Sequence, residues 1–301
     1  MSLVINRVQT SNYRNASRLS HYGVNRMGLQ TNVSRSKASE FGAILLTERR
    51  VRKILGFQVG LVAFAIVISF WVTGMFDGDR ISEGLPAIGV LISDMMPPDF
   101  TRWKQWILPM LETIAMSVAG TTLAIFFSVP IAIWAATNTT PNRLAYTVAR
   151  MLLNGFRAIP ELIMGIIFVA AVGFGMLPGV LALGLHSIGM VGKFFAEAIE
   201  HAHPAPIEAA QAAGATSLQV IIHGVLPQVF TQFADVTMYR WEYNFRQSTV
   251  MGMVGAGGIG TELVGSLRIL DYQQVSAILI MILAAVSVVD WLSGVLRERF
   301  K

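Results

Sequence analysis

The chain lacks cysteine altogether, and only 14% of its residues carry a charged side chain. Without cysteine there is neither a disulfide framework nor a cysteine nucleophile. The charged content lies well below the roughly 25% that is usual in soluble domains. A G-x-x-x-x-G-K-[ST] sequence is also missing, because Gly192-Lys193 is followed by Phe194 and has no upstream glycine at the required position. The chain is therefore not expected to hydrolyse ATP, and we do not predict an enzyme.

Long apolar runs are what the chain does have. Hydrophobic residues make up 53% of the sequence, and the mean hydropathy is +0.56. Six runs reach the roughly 20 residues needed to cross a bilayer; they are residues 54–76, 107–136, 144–176, 180–199, 225–251 and 272–296. We predict an all-α polytopic membrane protein with about six transmembrane helices, in which residues 54–301 form the transmembrane domain.

Two of the runs carry polar interruptions. Arg150, Arg157 and Pro160-Glu161 interrupt the third run, which suggests a helical extension ahead of the true span. The fourth run has His186 in its middle and Lys193 late.

The distribution of basic residues predicts the orientation. Residues 1–53 contain about ten of the 23 lysines and arginines, whereas the segment after the first run is rich in aspartate and glutamate. Basic segments stay on the cytoplasmic side, so the N-terminus is predicted to be inside. Six crossings would also return the C-terminus to the inside. The basic residues there, Arg297, Arg299 and Lys301, are consistent with a cytoplasmic position. This bias, together with contact with anionic lipids, accounts for the net charge of +5 without any nucleic-acid partner.

The N-terminal tail, residues 1–53, is basic and is predicted to be disordered. Its first 39 residues are rich in serine, asparagine and arginine and contain no acidic residue. Two alternatives remain open: an organelle transit peptide has the same composition, and Met27 is a possible natural start.

A glycine-rich segment follows the fifth run. Residues 255–260 match G-x-G-x-x-G, but they follow a predicted helix rather than a strand, so a dinucleotide site is not expected. We predict a flexible turn at the outer end of the fifth span, formed by Gly255, Gly257, Gly258 and Gly260.

No metal site is predicted. Glu200, His201, His203 and Glu208 lie close together in sequence, but their proline-broken spacing matches no ligand geometry. A solvated loop is the favoured interpretation.

The fifth run is unusually polar for a membrane span. Asp235, Tyr239, Glu242, Arg246 and Thr249 recur at three- and four-residue steps and share one helical face, and Arg240, Asn244 and Gln247 fall roughly opposite. Such residues face a bundle interior or a water-filled pathway. A translocation pathway is predicted that involves Arg240, Glu242, Asn244, Arg246, Ser248 and Thr249, with an anionic solute. In the alternative, Glu242 and Arg246 pair within the helix and only stabilise packing. The sequence does not decide which face lines the pathway.

A polar interval between the fourth and fifth runs has a helix-turn-helix pattern. Pro204 and Pro206 favour a helix start, which places Glu208 in the first turn. The small side chains of Ala209 and Ala210 permit close approach by a partner, and Gly214 permits a sharp turn. A second helical segment is expected over residues 215–224, before Leu226-Pro227. The alternative is an alanine-rich connecting helix.

This interval resembles the cytoplasmic EAA loop of ABC importer permeases, which docks into an ATP-hydrolysing subunit. The pattern covers about residues 204–227, with Gly224 where the family has isoleucine. The resemblance extends over about residues 107–301 to the phosphonate-type permeases. It is carried by five segments: residues 157–162, residues 192–200, the EAA interval, residues 239–244 and residues 254–260.

The resemblance implies a type I importer permease in a bacterial inner membrane. Two copies of a separate ATPase, which bind ATP and Mg²⁺, would dock at Glu208, Ala209, Ala210 and Gly214 of a permease homodimer. A periplasmic or lipid-anchored solute-binding protein would deliver phosphonate, phosphite, hypophosphite or phosphate. The chain itself would bind no cofactor. A methionine-type importer or a self-sufficient secondary transporter remains the alternative, and the permease pair could also be formed with a related second chain.

Overall fold

The computed structural model describes residues 51–300, and every regular element within them is a helix. The predicted disordered tail lies outside the described residues, except that residues 51–53 already belong to the first helix. The chain divides into two units, with the boundary at Gly84. The prediction of an all-α membrane protein is confirmed.

Eleven α-helices occur among the described residues. They are α1 (Val51–Val72), α2 (Gly78–Asp94), α3 (Trp103–Ala135), α4 (Arg143–Ala158), α5 (Glu161–Val172), α6 (Met176–Glu200), α7 (Pro204–Ala212), α8 (Ser217–Gln219), α9 (Leu226–Met251), α10 (Ile259–Arg268) and α11 (Tyr272–Phe300). A π-helical segment, Val220–Val225, joins α8 to α9, and a 3₁₀ turn, Gly252–Val254, follows α9. Helix α2 is not predicted from the sequence, because its apolar residues are mixed with charged ones.

The six predicted spans correspond to helices or bent helix pairs. Helices α1, α3, α6 and α11 are each long and apolar enough to cross a membrane. The third run is a bent pair, α4 and α5, and the fifth run is the pair formed by residues 217–254 and α10, bent by 45°. Count and location of the predicted spans therefore agree with the structure when each bent pair is taken as one span.

The bend between α4 and α5 lies where the sequence shows Pro160. The helix is interrupted here because proline cannot donate a backbone hydrogen bond and disfavours helical geometry in the residue before it, and the two helices meet at 86°. Helix α5 has 12 residues, about 18 Å at the α-helical rise, which is short of the roughly 30 Å hydrocarbon core. Helix α4, the predicted extension, must therefore supply part of this crossing.

Helix α6 is the centre of the second unit, residues 85–301. It packs against α3, α4, α5 and α9, and more than half of its residues are buried. The small residues of α3 and α6 allow close approach: a methyl group on Gly120 would lie 3.0 Å from Cβ of Leu183. Helix α11 packs along α9. The Ser276 hydroxyl of α11 donates to the backbone oxygen of Met95 at 2.7 Å.

The first unit contains α1 and the turn that follows it. Helix α1 is exposed along its whole length and carries a mean hydropathy of 2.2 in its most apolar window. The turn after it is held by an ion pair of 3.0 Å between Arg80 and Asp77.

Candidate functional site

A group of ionisable side chains meets about halfway along α6 and α9 of the second unit. Glu161, the first residue of α5, lies between His186 of α6 and Arg240 and Tyr243 of α9. His186 is ten residues from the start of α6, and Arg240 is 14 residues from the start of α9. We call Glu161, His186, Arg240 and Tyr243 the mid-span cluster.

Each oxygen of Glu161 is used differently. The Tyr243 hydroxyl donates to Oε1 at 2.6 Å. Oε2 has no hydrogen-bond partner among the described residues, but Nδ1 of His186 lies 3.3 Å away and Nη2 of Arg240 3.6 Å away. Oε2 is therefore held by its attraction to the Arg240 guanidinium rather than by a directed hydrogen bond.

Arg240 is almost completely buried, with 2% of its side chain exposed. Its Nε–H donates to Oγ of Ser187 at 2.8 Å, and its Nη2 lies 3.0 Å from Nδ1 of His186. The guanidinium carbon also stands 4.3 Å from the Tyr243 ring centroid, a cation–π distance. A buried arginine in a membrane span requires such compensation, because an unpaired charge there costs several kcal/mol.

The polar contacts continue from Arg240 into α3. Ser187 donates to Oδ1 of Asn244 at 3.1 Å, and Nδ2 of Asn244 donates to Oγ1 of Thr121 at 2.8 Å. One turn further, Ser248 donates to the backbone oxygen of Thr113 at 3.1 Å. Arg240, Asn244 and Ser248 thus form the buried face of α9, packed against α3 and α6.

The other predicted pathway residues lie on a different face of α9, against α11. Nη2 of Arg246 is 3.0 Å from Asp290 of α11 and 3.7 Å from Glu242. Nη2 of Arg297 lies 2.9 Å from Glu242, and its Nε lies 3.4 Å from Asp235. The alternative of a Glu242–Arg246 pair within the helix is therefore realised geometrically, although half of the Arg246 side chain remains exposed. The Thr249 hydroxyl donates to the backbone oxygen of Arg246, at 2.7 Å.

Three members of the mid-span cluster, Glu161, His186 and Tyr243, were not among the predicted site residues. The sequence shows Glu161 and His186 only as interruptions of apolar runs. The available signal was their cost in a membrane, since an ionisable residue within a span usually has a partner or a function. Their common partner, Arg240, is 79 residues from Glu161 and 54 from His186, so no local pattern links them.

The predicted coupling segment forms a separate site beyond the end of α6. Helix α7 begins at Pro204, and Glu208 and Ala209 are exposed, whereas Ala210 is half-buried. Glu208 lies in the second turn of α7, not in the first as expected, so the helix dipole does not stabilise its carboxylate. Gly214 has φ of +81°, in the left-handed region that favours glycine, and it turns the chain out of α7.

The helical segment of residues 217–225 packs against α7. Thr216 and Gln219 form a capping box at the start of α8, and the helical segment expected over residues 215–224 is seen as residues 217–225. Gly224 is buried, and a methyl group there would lie 3.4 Å from Cα of Ile207. This position therefore holds the two halves of the segment together instead of contributing to its exposed surface.

The glycine-rich turn after α9 is fixed by specific contacts. Gly255, Gly257 and Gly258 all have positive φ, from +78° to +93°. The Gly258 N–H donates to Oε2 of Glu112 at 3.1 Å, and the next N–H, of Ile259, donates to Oγ1 of Thr113 at 2.9 Å. A methyl group on Gly260 would overlap the carbonyl oxygen of Thr249. The flexibility of this turn stays a prediction.

The four residues weighed as metal ligands do not converge on one point. Glu200 accepts hydrogen bonds from Arg150 and from the Thr137 N–H, and Nδ1 of His201 lies 2.7 Å from the backbone oxygen of Glu197. Among residues 51–300, no three histidine, aspartate or glutamate side chains are placed to hold a metal ion.

Known proteins similar to this chain are membrane components of import systems. Residues 128–301 match the family described as binding-protein-dependent transport system inner membrane component. The phosphite transport system permease protein PtxC of Stutzerimonas stutzeri is 63% identical over 244 residues, which are 81% of this chain and 89% of that protein. The phosphate-import permease protein PhnE of Mycolicibacterium smegmatis is 40% identical, over 78% of this chain and 44% of PhnE.

Among solved structures, the inward-facing MetNI methionine ABC transporter has a similar fold. The TM-score is 0.57 at 19% sequence identity, over 65% of this chain and 96% of that one.

Proposed function

The chain belongs to the family of binding-protein-dependent transport system inner membrane components, and we propose that it is the permease subunit of an ATP-driven ABC importer for phosphorus oxyanions. The observation that carries this function is the 63% identity with a phosphite permease across four-fifths of the chain. The methionine transporter, at 19% identity, supports the type I permease fold and not a methionine substrate.

The translocation pathway is proposed to run along α9. Arg240 supplies a cation halfway along the helix, where an anionic solute needs one, with Asn244 and Ser248 continuing the same face. Arg246, Glu242 and Thr249 form the second candidate face, next to α11. The half-exposed guanidinium of Arg246 is its accessible cation. The buried polar contacts of the mid-span cluster favour the first face as the one that faces the bundle interior.

The coupling segment is proposed as the docking site of the partner ATPase. Its exposed face offers the carboxylate of Glu208 beside Ala209, with Ala210 and Gly214 allowing close approach. Two ATPase copies, each with its own ATP and Mg²⁺, would bind two copies of the permease in a bacterial inner membrane. Both termini would be cytoplasmic, and a solute-binding protein would dock at the outer face near the glycine-rich turn. Closure of the ATPases would move the coupling segments and alternate access to the pathway.

Purification followed by reconstitution tests this function. The chain is purified gently from its native membrane, and bound proteins are identified by mass spectrometry. The complex is then placed in proteoliposomes with radiolabelled phosphite, phosphate, methylphosphonate or methionine. We expect a P-loop ATPase at equal copy number and ATP-dependent uptake of a phosphorus oxyanion. Uptake by the chain alone on an ion gradient would show a secondary transporter, and uptake of methionine only would overturn the substrate class.

A further inference from the structure

Helix α4 and the start of α5 follow α6 closely from the C-terminal end of α6 to its middle. Arg150 contacts Glu200 at 2.9 Å, Leu153 occupies the space beside Gly192, and Glu161 reaches His186. Between these points, the stem of Arg157 lies on Gly189: a methyl group there would be 2.6 Å from Cγ of Arg157. The position of Arg157 along α6 is therefore known from its neighbours on both sides.

Three ionisable groups thus lie along one side of α6. His186, Gly189 and Lys193 are three and four residues apart, so they share a helical face, and Arg157 crosses that face at Gly189. With 1.5 Å of rise per residue, His186 and Lys193 are about 10 Å apart along the axis. We call Lys193, Arg157 and Arg240, which contacts His186, the basic rail.

The charges of the basic rail do not balance. Glu161 faces Arg240, and Glu197 lies 3.9 Å from Lys193. Arg157 is exposed, and its guanidinium has no hydrogen bond or ion pair with any residue from 51 to 300. Three cations against two carboxylates leave one positive charge, and it resides on Arg157.

This unpaired cation lies deep in the span. Gly189 is 13 residues from Met176 and 11 from Glu200, which places it about 20 Å and about 16 Å from the two ends of α6. Lipid phosphates lie at the ends of a span, beyond the reach of a side chain anchored at this depth. An unpaired arginine here cannot face hydrocarbon without a cost of at least a few kcal/mol.

We propose that Arg157 is an oxyanion-binding residue of the translocation pathway, and that the basic rail is the path by which a phosphorus oxyanion passes between mid-span and the C-terminal end of α6. This inference rests on the proposed function and adds a site to it. The planar guanidinium binds two oxygens of a tetrahedral oxyanion at once. Lys193, 41% exposed and only loosely paired, is the next cation on the route.

The test compares Arg157→Gln, Arg157→Lys and Arg143→Gln in the reconstituted complex with its ATPase and solute-loaded binding protein. Arg143 is the matched control, an exposed arginine at the other end of the same helix. For Arg157→Gln, we expect the maximal rate of phosphite uptake to fall at least tenfold, while the ATP hydrolysed per phosphite imported rises at least tenfold. Arg157→Lys should retain a third or more of the rate, and Arg143→Gln should equal the wild type.

Each contrary outcome points to a different error. Wild-type uptake by Arg157→Gln, at an unchanged ATP ratio, overturns the inference alone, whereas a wild-type complex that imports no phosphorus oxyanion overturns the proposed function and the inference with it. Loss of the second permease copy would show that a carboxylate of that copy neutralises Arg157. Loss of a bound phospholipid in native mass spectra, without a change in the ATP ratio, would identify a lipid phosphate as the oxyanion.

The absence of cysteine from the chain permits an independent measurement. Arg157→Cys would be the only thiol in the permease. We expect it to react with a membrane-impermeant, anionic methanethiosulfonate at least tenfold faster than Phe126→Cys, which replaces an exposed apolar side chain of α3. Equal, slow reaction of both variants would place position 157 in lipid and overturn the inference.

Discussion

The guanidinium of Arg240 and the carboxylate of Glu161 lie 3.6 Å apart in the middle of the bundle, and both side chains are at least nine-tenths buried. They come from helices that are far apart in sequence, and the pair joins the bend after α4 to the centre of α9. Removing one partner of a buried pair costs about 3–5 kcal/mol, because the other charge is left uncompensated.

We therefore expect Glu161→Gln to lower the thermal midpoint of the purified permease strongly, with Arg240→Met equally damaging. The double variant should recover at least half of the loss, because it leaves no unpaired charge. Thermal unfolding in detergent measures this coupling. The pair Lys193–Glu197 is the control: about two-fifths of each side chain is exposed, so Glu197→Gln should cost about 1 kcal/mol or less. Additive losses in the double variant would show that Glu161 and Arg240 act separately.

Charge reversal at Glu208 tests the coupling segment. Glu208 is exposed, so Glu208→Lys should leave the permease folded while reducing ATPase binding or uncoupling ATP hydrolysis from uptake, by tenfold or more. Co-purified ATPase and the ratio of ATP hydrolysed to solute imported are the two readouts. Glu298→Lys, at an exposed position near the end of α11, makes the same charge change outside the segment and should behave as wild type. Normal assembly together with normal uptake in Glu208→Lys would remove Glu208 from the docking surface.

Two glycines in α10 test the packing of the glycine-rich turn after α9. Gly260→Ala places a methyl group on the carbonyl oxygen of Thr249, and backbone atoms cannot yield as a flexible side chain can. We expect a loss of several kcal/mol and little folded protein in the membrane. Gly265→Ala, five residues later in the same helix, meets open space and should be neutral or stabilising by about 0.5–1 kcal/mol. Detergent-resistant, monodisperse protein measured by size-exclusion chromatography distinguishes the two variants.

The span pattern could be predicted from sequence because it depends on local composition. Six apolar runs, the break at Pro160 and the helix-turn-helix of the coupling segment all follow from residues next to one another. The size of the bend could not be predicted, since the 86° between α4 and α5 is set by their packing on α6. The helical turn that contains Glu208 could not be predicted either, because it depends on whether the helix begins at Pro204 or at Pro206.

The mid-span cluster could not be predicted from the sequence for a different reason. Its residues come from three helices, and each looks like an isolated interruption until tertiary packing brings them together. The two polar stripes of α9 also read alike in sequence, since each contains an arginine. Their contacts distinguish them. Residues of one stripe form hydrogen bonds with Ser187 and Thr121 in the interior, and residues of the other form ion pairs with Asp290 and Arg297 of α11.

For Arg246, a role in contacting the solute and a role in helix packing predict different effects of substitution. Its guanidinium pairs with Asp290 at 3.0 Å, yet half of its side chain is exposed. If Arg246 contacts the solute, Arg246→Ala should lower uptake at least fivefold with the complex intact, and Asp290→Asn should leave uptake within twofold of wild type because it keeps the cation. If the pair serves packing alone, both variants should lose assembly to the same small extent, since a partly exposed ion pair contributes about 1 kcal/mol or less. Uptake and co-purified ATPase, measured side by side for the two variants, separate these results. Because the buried contacts of α9 favour the Arg240 face as the pathway, we expect the second.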